Sequence, residues 1–252
     1  MSINITILII LILSTAFISG LFYVLLKIVY KKIDNRITDF EKKVSSDYNQ
    51  IEALFSIFSV LKIDKTLPPF RGWAISPDFA TILLNQILDK RPKIIVESGS
   101  GVSTILISYM LKKNNFGHLY SLEHEKDYAA KTENLLISHN LVDKATVIKA
   151  DLIPFIINKS QYKWYDISFL KSDQKIDMLI IDGPPSSIQP KARYPALPLL
   201  EKYFSDDAII LIDDCKREED HEIVKLWLSE FTDYEEEWYD IEKGAFILKK
   251  RV

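Results

Sequence analysis

Cysteine is almost missing from this chain: there is one, Cys215, among 252 residues. No internal disulfide can form, so the bulk of the chain reads as cytosolic, with Cys215 a small buried apolar residue. Neither sign of charge is in excess. The formal net charge of −3 gives no global reason to expect a nucleic-acid partner. Internal repeats and low-complexity tracts are also lacking. Charge is absent altogether from Ile3 to Leu26, and no Lys or Arg precedes that run. A cleavable signal peptide would need a basic n-region and a small-residue cleavage site after a shorter apolar core. About 20 apolar residues span a bilayer as a helix. Lys27, Lys31, Lys32 and Arg36 follow the run. The expectation is a single-pass membrane anchor over residues 1–26, with the remainder in the cytoplasm by the positive-inside rule. The alternative is a buried core helix.

Residues 27–66 read as a helical stalk beneath the membrane. Ile33, Ile37, Phe40, Val44, Ile51, Leu54, Phe58 and Leu61 fall at alternating spacings of four and three if Asp47 fills one slot. This is a heptad pattern. It fits either an amphipathic helix docking on the following domain or a short coiled coil joining two copies into a homodimer. Leu67-Pro68-Pro69 ends the stalk, since consecutive prolines cannot continue a helix.

From residue 67 to 252 the pattern is that of one α/β domain. Ser76-Pro77-Asp78 reads as an N-cap, a first-turn proline and a dipole-matching acid, opening a helix to about Asp89. Short apolar strands follow at 93–96, 119–122, 145–149, 178–181 and 208–212. Helices lie between them near 102–113, 126–138 and 196–204, and another follows at 219–231. That alternation means a parallel sheet covered on both faces. The segment 161–175 fits poorly and reads as an insertion or edge hairpin carrying Trp164 and Tyr165. The chain closes on a hairpin, 237–239 with 245–248.

Acids stand at the carboxyl ends of five successive strands: Glu97, Glu123, Asp151, Asp182 and the pair Asp213-Asp214. Ligands of open α/β sheets bind there. The first strand runs into Glu97-Ser98-Gly99-Ser100-Gly101, a tight turn before a helix N-terminus. Gly99 and Gly101 let backbone approach a ligand where a Cβ would clash. A carboxylate at Glu97 serves a pyrophosphate poorly and a cationic amino-acid group well, so the turn leans toward S-adenosylmethionine rather than NAD. Glu123, 22 residues after Gly101, is spaced to reach both hydroxyls of a ribose. Asp151 could accept from an adenine amino group. Asp182, Asp213 and Asp214 could together hold a hard divalent ion, or be ordinary polar strand ends.

With these residues in place, the chain resembles the class I S-adenosylmethionine-dependent methyltransferases, in particular the family of methyltransferase domain 24, and more distantly catechol O-methyltransferase. The phrases that carry the resemblance are Glu97–Thr104, Ser121-Leu122-Glu123-His124, Ile180-Ile181-Asp182-Gly183-Pro184-Pro185, Arg193-Tyr194-Pro195-Ala196 and Leu211-Ile212-Asp213-Asp214, with the lead-in from Leu67 to Pro77. The resemblance implies an α/β, Rossmann-like, doubly wound seven-stranded sheet whose last strand is antiparallel. It implies that Glu97, Gly99, Ser100, Gly101 and Ser103 surround the methionine part of the cofactor. Glu123 would bind the ribose with His124 beside it, and Asp151 would approach the adenine. Positions matching Asp182 and Asp213-Asp214 hold magnesium (Mg2+) in the catechol-type relatives, where the second of the pair is Asn. The lysine those enzymes use follows the strand-four acid closely; here Gly183-Pro184-Pro185 intervenes and Lys191 comes later.

The expected reaction is O-methylation of a small-molecule, lipid-linked or envelope-precursor acceptor, with Asp182 as base or metal ligand and Asp213 as its partner. Lys191 or Tyr194 would be the acceptor-side group, and Trp73, Trp164, Tyr165 and Tyr194 candidate pocket aromatics. Three other readings compete. A nicotinamide-dependent oxidoreductase needs a third glycine where Thr104 stands. A membrane-associated glycosyltransferase, with Asp213-Asp214 on a metal–nucleotide pair, leaves the Glu97–Thr104 turn idle. A non-catalytic nucleoside-binding module is the third.

Overall fold

The computed structural model describes residues 4–70, 72–171 and 173–251. It forms two compact units, Met1–Asn49 and Gln50–Val252. The first unit is the greater part of helix α1 (Ile5–Val60). Its apolar stretch is long enough to cross a membrane by length and composition. Ile33, Ile37, Phe40 and Val44 of the heptad seam are all exposed.

In the second unit the last turns of α1 dock on the α/β domain through a face that shares only part of the seam. Ala53 and Ile57 are buried together with Leu61 of the seam, Leu54 of the seam is half-buried, and the seam residues Ile51 and Phe58 are exposed. Gln50 fixes this register: its amide donates to Asp78 Oδ2 at 2.7 Å, and its Oε1 accepts the Asp78 N–H at 3.2 Å. Ser76, expected to cap α2 (Pro77–Lys90), has extended backbone but makes no capping bond. Gln50 serves that N–H instead. The α1 helix stops at Val60, short of Leu67-Pro68-Pro69. Its docked face is complete by Leu61, and Ile63 and Leu67 continue against the same core as irregular chain.

Seven strands form one sheet: β1 (Ile94–Ser98), β2 (His118–Glu123), β3 (Ala145–Lys149), β6 (Ile176–Ile181), β7 (Phe204–Ile212), β8 (Tyr234–Tyr239) and β9 (Ala245–Lys250). Their order is β3-β2-β1-β6-β7-β9-β8. All pairings are parallel except those of β9, which is antiparallel to both neighbours. This is the doubly wound sheet with an antiparallel last strand that the resemblance implies. Alternation along each strand splits the core between two faces. Ile95, Met178, Ile180 and Leu211 pack with α2 and α3 (Val102–Asn114). Val96, Leu179, Ile181 and Ile212 pack with α5 (Ala196–Leu200) and α6 (Glu218–Glu230). A fourth crossover helix, α4 (Lys126–Ser138), links β2 to β3.

Two elements differ from expectation. The extra hairpin lies earlier than 161–175, as β4 (Leu152–Ile157) and β5 (Ser160–Tyr165). Asn158 and Lys159 both adopt positive φ, 48° and 68°, the two-residue turn whose twist matches paired strands. The helix near 196–204 ends at Leu200, and a 3₁₀ turn at Glu201–Tyr203 delivers the chain into a longer β7.

Candidate functional site

The strand order reverses direction between β1 and β6, and that switch point opens a crevice at the carboxyl ends of the strands. The ends are tied together by backbone. Ser98 O accepts from Asp182 N (3.1 Å) and Gly183 N (2.8 Å), Gly99 N donates to Leu122 O (2.9 Å), and Asp213 N donates to Ile181 O (3.1 Å). Gly99 adopts φ +98°, a conformation open to glycine. At Gly183 a Cβ would run into the Tyr165 hydroxyl. The resulting cleft of about 320 Å³ is lined by Gly99, Ser100, Glu123, His124, Asp182 and Asp214 of the expected site residues, within the size range of small-molecule sites.

Glu97 lies beneath the turn and is 1% exposed. Its Oε2 accepts from Thr104 Oγ1 (2.7 Å) and Ser121 Oγ (2.8 Å). Thr104 Oγ1 in turn accepts the Gly101 N–H at 3.0 Å. Glu97 Oε1 has no partner among the described residues. Burial pushes this carboxyl up to about 7, against the opposing influence of the nearby Ser103, Thr104 and Ser121 hydroxyls. Ionising it in the folded protein is therefore costly. From the ordinary value of 4.5 the shift amounts to roughly 3 kcal/mol. That stability is fully present below pH 4.5 and is lost as pH rises through 7. Thermal melts of the ligand-free protein should show wild type losing stability relative to Glu97→Gln across this window. Parallel curves would remove the protonated Glu97.

Glu123, at the end of β2, is ordered by the turn itself. Oε2 accepts from Ser100 N (3.1 Å) and Ser100 Oγ (3.0 Å), and Oε1 accepts from Glu125 N (2.9 Å). His124 Nδ1 lies 3.3 Å from Oε1. Burial alone would raise this carboxyl, but His124 and these N–H and O–H donors outweigh it and hold the group below its ordinary range. Two carboxyl groups one strand apart are thus set oppositely: Glu97 poised near neutrality, Glu123 ionised.

Across the cleft, Asp182, Asp213 and Asp214 come together, with ligand oxygens within 4.8 Å of one another. Asp213 is fully buried. Its Oδ1 accepts the Asp214 N–H at 2.8 Å. Burial, then the charges of Asp182 and Asp214, push its carboxyl well up. Burial also raises Asp182, with Arg193 opposing. Burial would raise Asp214 too, but Arg193, Lys243 and Arg217 reverse the direction. Asp214 adopts φ +64°, a region that Asn and Asp tolerate best among residues with a side chain.

The residue that organises this group is Arg193, quoted within a motif above but given no role. It is 4% exposed. One guanidinium nitrogen donates to Asp214 Oδ2 at 2.8 Å and to the Asp182 main-chain carbonyl, and the other to Asp213 O at 2.9 Å. The only cue in the sequence was an excess of strand-end acids that needed a counter-charge. Thr104 and Ser121, the donors to Glu97, were likewise present in motifs but unassigned.

Other candidates stand elsewhere. Lys191 sits at positive φ, +53°, and pairs with Glu222 at 3.4 Å; it does not line the cleft. Asp151 is exposed and also lies outside the lining. Gly101, the N-cap of α3, and Ser103 in its first turn do not line the cleft. Of the aromatics, Trp73 and Tyr165 line it, whereas Trp164 is core. The Tyr194 hydroxyl is held by Glu230 at 2.7 and 2.8 Å.

Residues 96–215 match the family described as Methyltransferase domain, a stretch that runs from within β1 to just past the Asp213-Asp214 pair. No curated protein matches the sequence. Among solved structures, a Podospora anserina methyltransferase bound to S-adenosylhomocysteine is 13% identical. The match covers 71% of this chain and 81% of that one, with TM-score 0.55. A Bacillus cereus O-methyltransferase with the same ligand is 14% identical, covering 81% and 91%, TM-score 0.53. The O-methyltransferase TomG of Streptomyces achromogenes, solved with S-adenosylmethionine, is 13% identical, covering 71% and 82%, TM-score 0.52. At these identities the likeness is one of fold.

Proposed function

We propose that this chain, a methyltransferase by the domain at residues 96–215, moves a methyl group from S-adenosylmethionine to an oxygen of a small-molecule acceptor at the cytoplasmic face of a membrane. The observation that carries the reading is the opposed pair at the switch point: Glu97 with a buried, unpartnered oxygen, and Glu123 ionised and lining the cleft. An ammonium group suits the first and a ribose diol the second. The structures named above, solved with that cofactor or its product, support the same assignment.

When bound, S-adenosylmethionine supplies an electrophilic methyl on a sulfonium. The chain's own contribution is alignment in a dry cleft and removal of the acceptor's proton. Asp182, lining the cleft with a raised carboxyl, is the base. Asp213 is buried beneath it and tunes its charge. Trp73 and Tyr165 offer apolar walls for the acceptor. The apolar stretch of α1, with its following basic residues, supports a membrane address. The exposed seam at Ile33, Ile37, Phe40 and Val44 supports pairing of two copies.

Calorimetry tests the cofactor assignment. Wild type should bind S-adenosylmethionine in preference to NAD or nucleotide sugars. Glu123→Ala should weaken it about 10²-fold, the scale of two charge-assisted hydrogen bonds. An unchanged Kd would refute the ribose role. Methyl-label transfer by washed membranes of expressing cells checks activity and address together.

A further inference from the structure

Three carboxyl groups whose oxygens fall within 4.8 Å of one another have the donor chemistry for a hard divalent cation. The surroundings of this trio do not fit one. Asp214 Oδ2 is already taken twice, by Arg193 at 2.8 Å and by Arg217 at 2.9 Å. Asp182 Oδ1 lies 3.5 Å from the same Arg193 nitrogen. Lys243 Nζ stands 3.7 Å from Asp214 Oδ1 and 4.0 Å from Asp213 Oδ2. A fourth acid, Asp220, lies 3.5 Å from the other Arg193 nitrogen. Arg193 is buried and anchored on two main-chain carbonyls as well. It is therefore a fixed part of the fold, not a surface chain that swings aside.

A magnesium ion demands near-octahedral oxygens at about 2.1 Å and keeps several waters. Here it would have to share its carboxylates with a guanidinium in van der Waals range, beside two further cations. Three positive side chains already stand among the trio and Asp220.

We propose that the guanidinium of Arg193 occupies the place a divalent cation would need, and that the acceptor side of this cleft works without metal. Arg193 is then a positioning residue. Through the Asp182 carbonyl and carboxyl it sets the side chain that reaches the cleft, and its planar fork spans acceptors that a single ammonium could not. The proposal rests on the methyltransferase reading for what that side chain acts on. The cation site can be tested whatever the acceptor proves to be.

Manganese(II) titration followed by electron paramagnetic resonance is the test, on the full-length protein after dialysis against EDTA. The free-ion signal should persist with wild type and with Arg193→Lys, which keeps the charge. With Arg193→Gln the signal should be quenched, at least tenfold tighter than any wild-type binding, and restored by EDTA. Stoichiometric quenching by wild type that disappears in Asp214→Asn overturns the proposal. Quenching that survives Asp214→Asn arises at another site and leaves the trio metal-free, as expected. A folded Arg193→Gln protein that leaves manganese free also overturns it, because the guanidinium would not be standing in the ion's place. If Arg193→Gln does not fold, the wild-type and Asp214→Asn titrations decide alone. A failure of S-adenosylmethionine binding would bear on the function and not on this result.

Discussion

Arg193→Met is expected to lower folding stability by about 3–5 kcal/mol, the cost of leaving buried charges without their partner. For a chain of this size that corresponds to a fall in melting temperature on the order of 10 °C. Methionine fills much of the same volume, so lost packing is a small part of the effect. What is lost is the common partner of Asp182, Asp214 and Asp220, together with the donors to the Asp182 and Asp213 carbonyls. Without it the neighbouring carboxyl groups can relieve their repulsion by protonation. The deficit relative to wild type should therefore shrink toward acidic pH. Chemical denaturation at neutral pH and near pH 5 measures both effects. A loss below about 1 kcal/mol that is the same at both pH values would mean that Lys243 and Arg217 suffice to neutralise the cluster.

Asp182→Asn should reduce kcat by about 10²–10⁴-fold, the usual contribution of a general base, with the Kd for S-adenosylmethionine unchanged. The amide keeps the shape of the side chain and its contact with Arg193 but cannot accept the acceptor's proton. The two readouts separate its role from that of Glu123, whose loss acts on binding. Wild-type turnover in Asp182→Asn would remove this residue from the chemistry. It would leave alignment alone to account for the rate.

Much of this site was legible before any coordinates. The runs Ile94-Ile95-Val96 and Met178-Leu179-Ile180-Ile181 are too short for helices and apolar at every position, as strands buried on both faces must be. The acids at their carboxyl ends pointed to the crevice, and Gly99 to the turn. What stayed hidden were contacts made across the sheet. Thr104 stands where a dinucleotide fingerprint has its third glycine, yet its hydroxyl is one of two donors to Glu97. Lys191 stands later than the lysine the resemblance implies, and a left-handed turn carries it toward Glu222. The partner of the carboxylates was Arg193, two residues further on. Along α1, the heptad spacing marked Ile51 and Phe58, while Gln50 on Asp78 fixed a register that buries Ala53 and Ile57 instead.

The residues of this chain by themselves determined the order of strands and helices, the turn after β1, the acids at the strand ends and the apolar stretch at the start. Each of these depends on periodicity or on side chains a few positions apart, and local stereochemistry reads such patterns directly. Only the tertiary structure decided which acids are ionised, which cation sits among them and which face of α1 docks. Those properties arise from burial and from partners far apart in the chain, such as Lys243 Nζ on the Ala74 carbonyl, 169 residues away. Nothing within a single turn or strand specifies them.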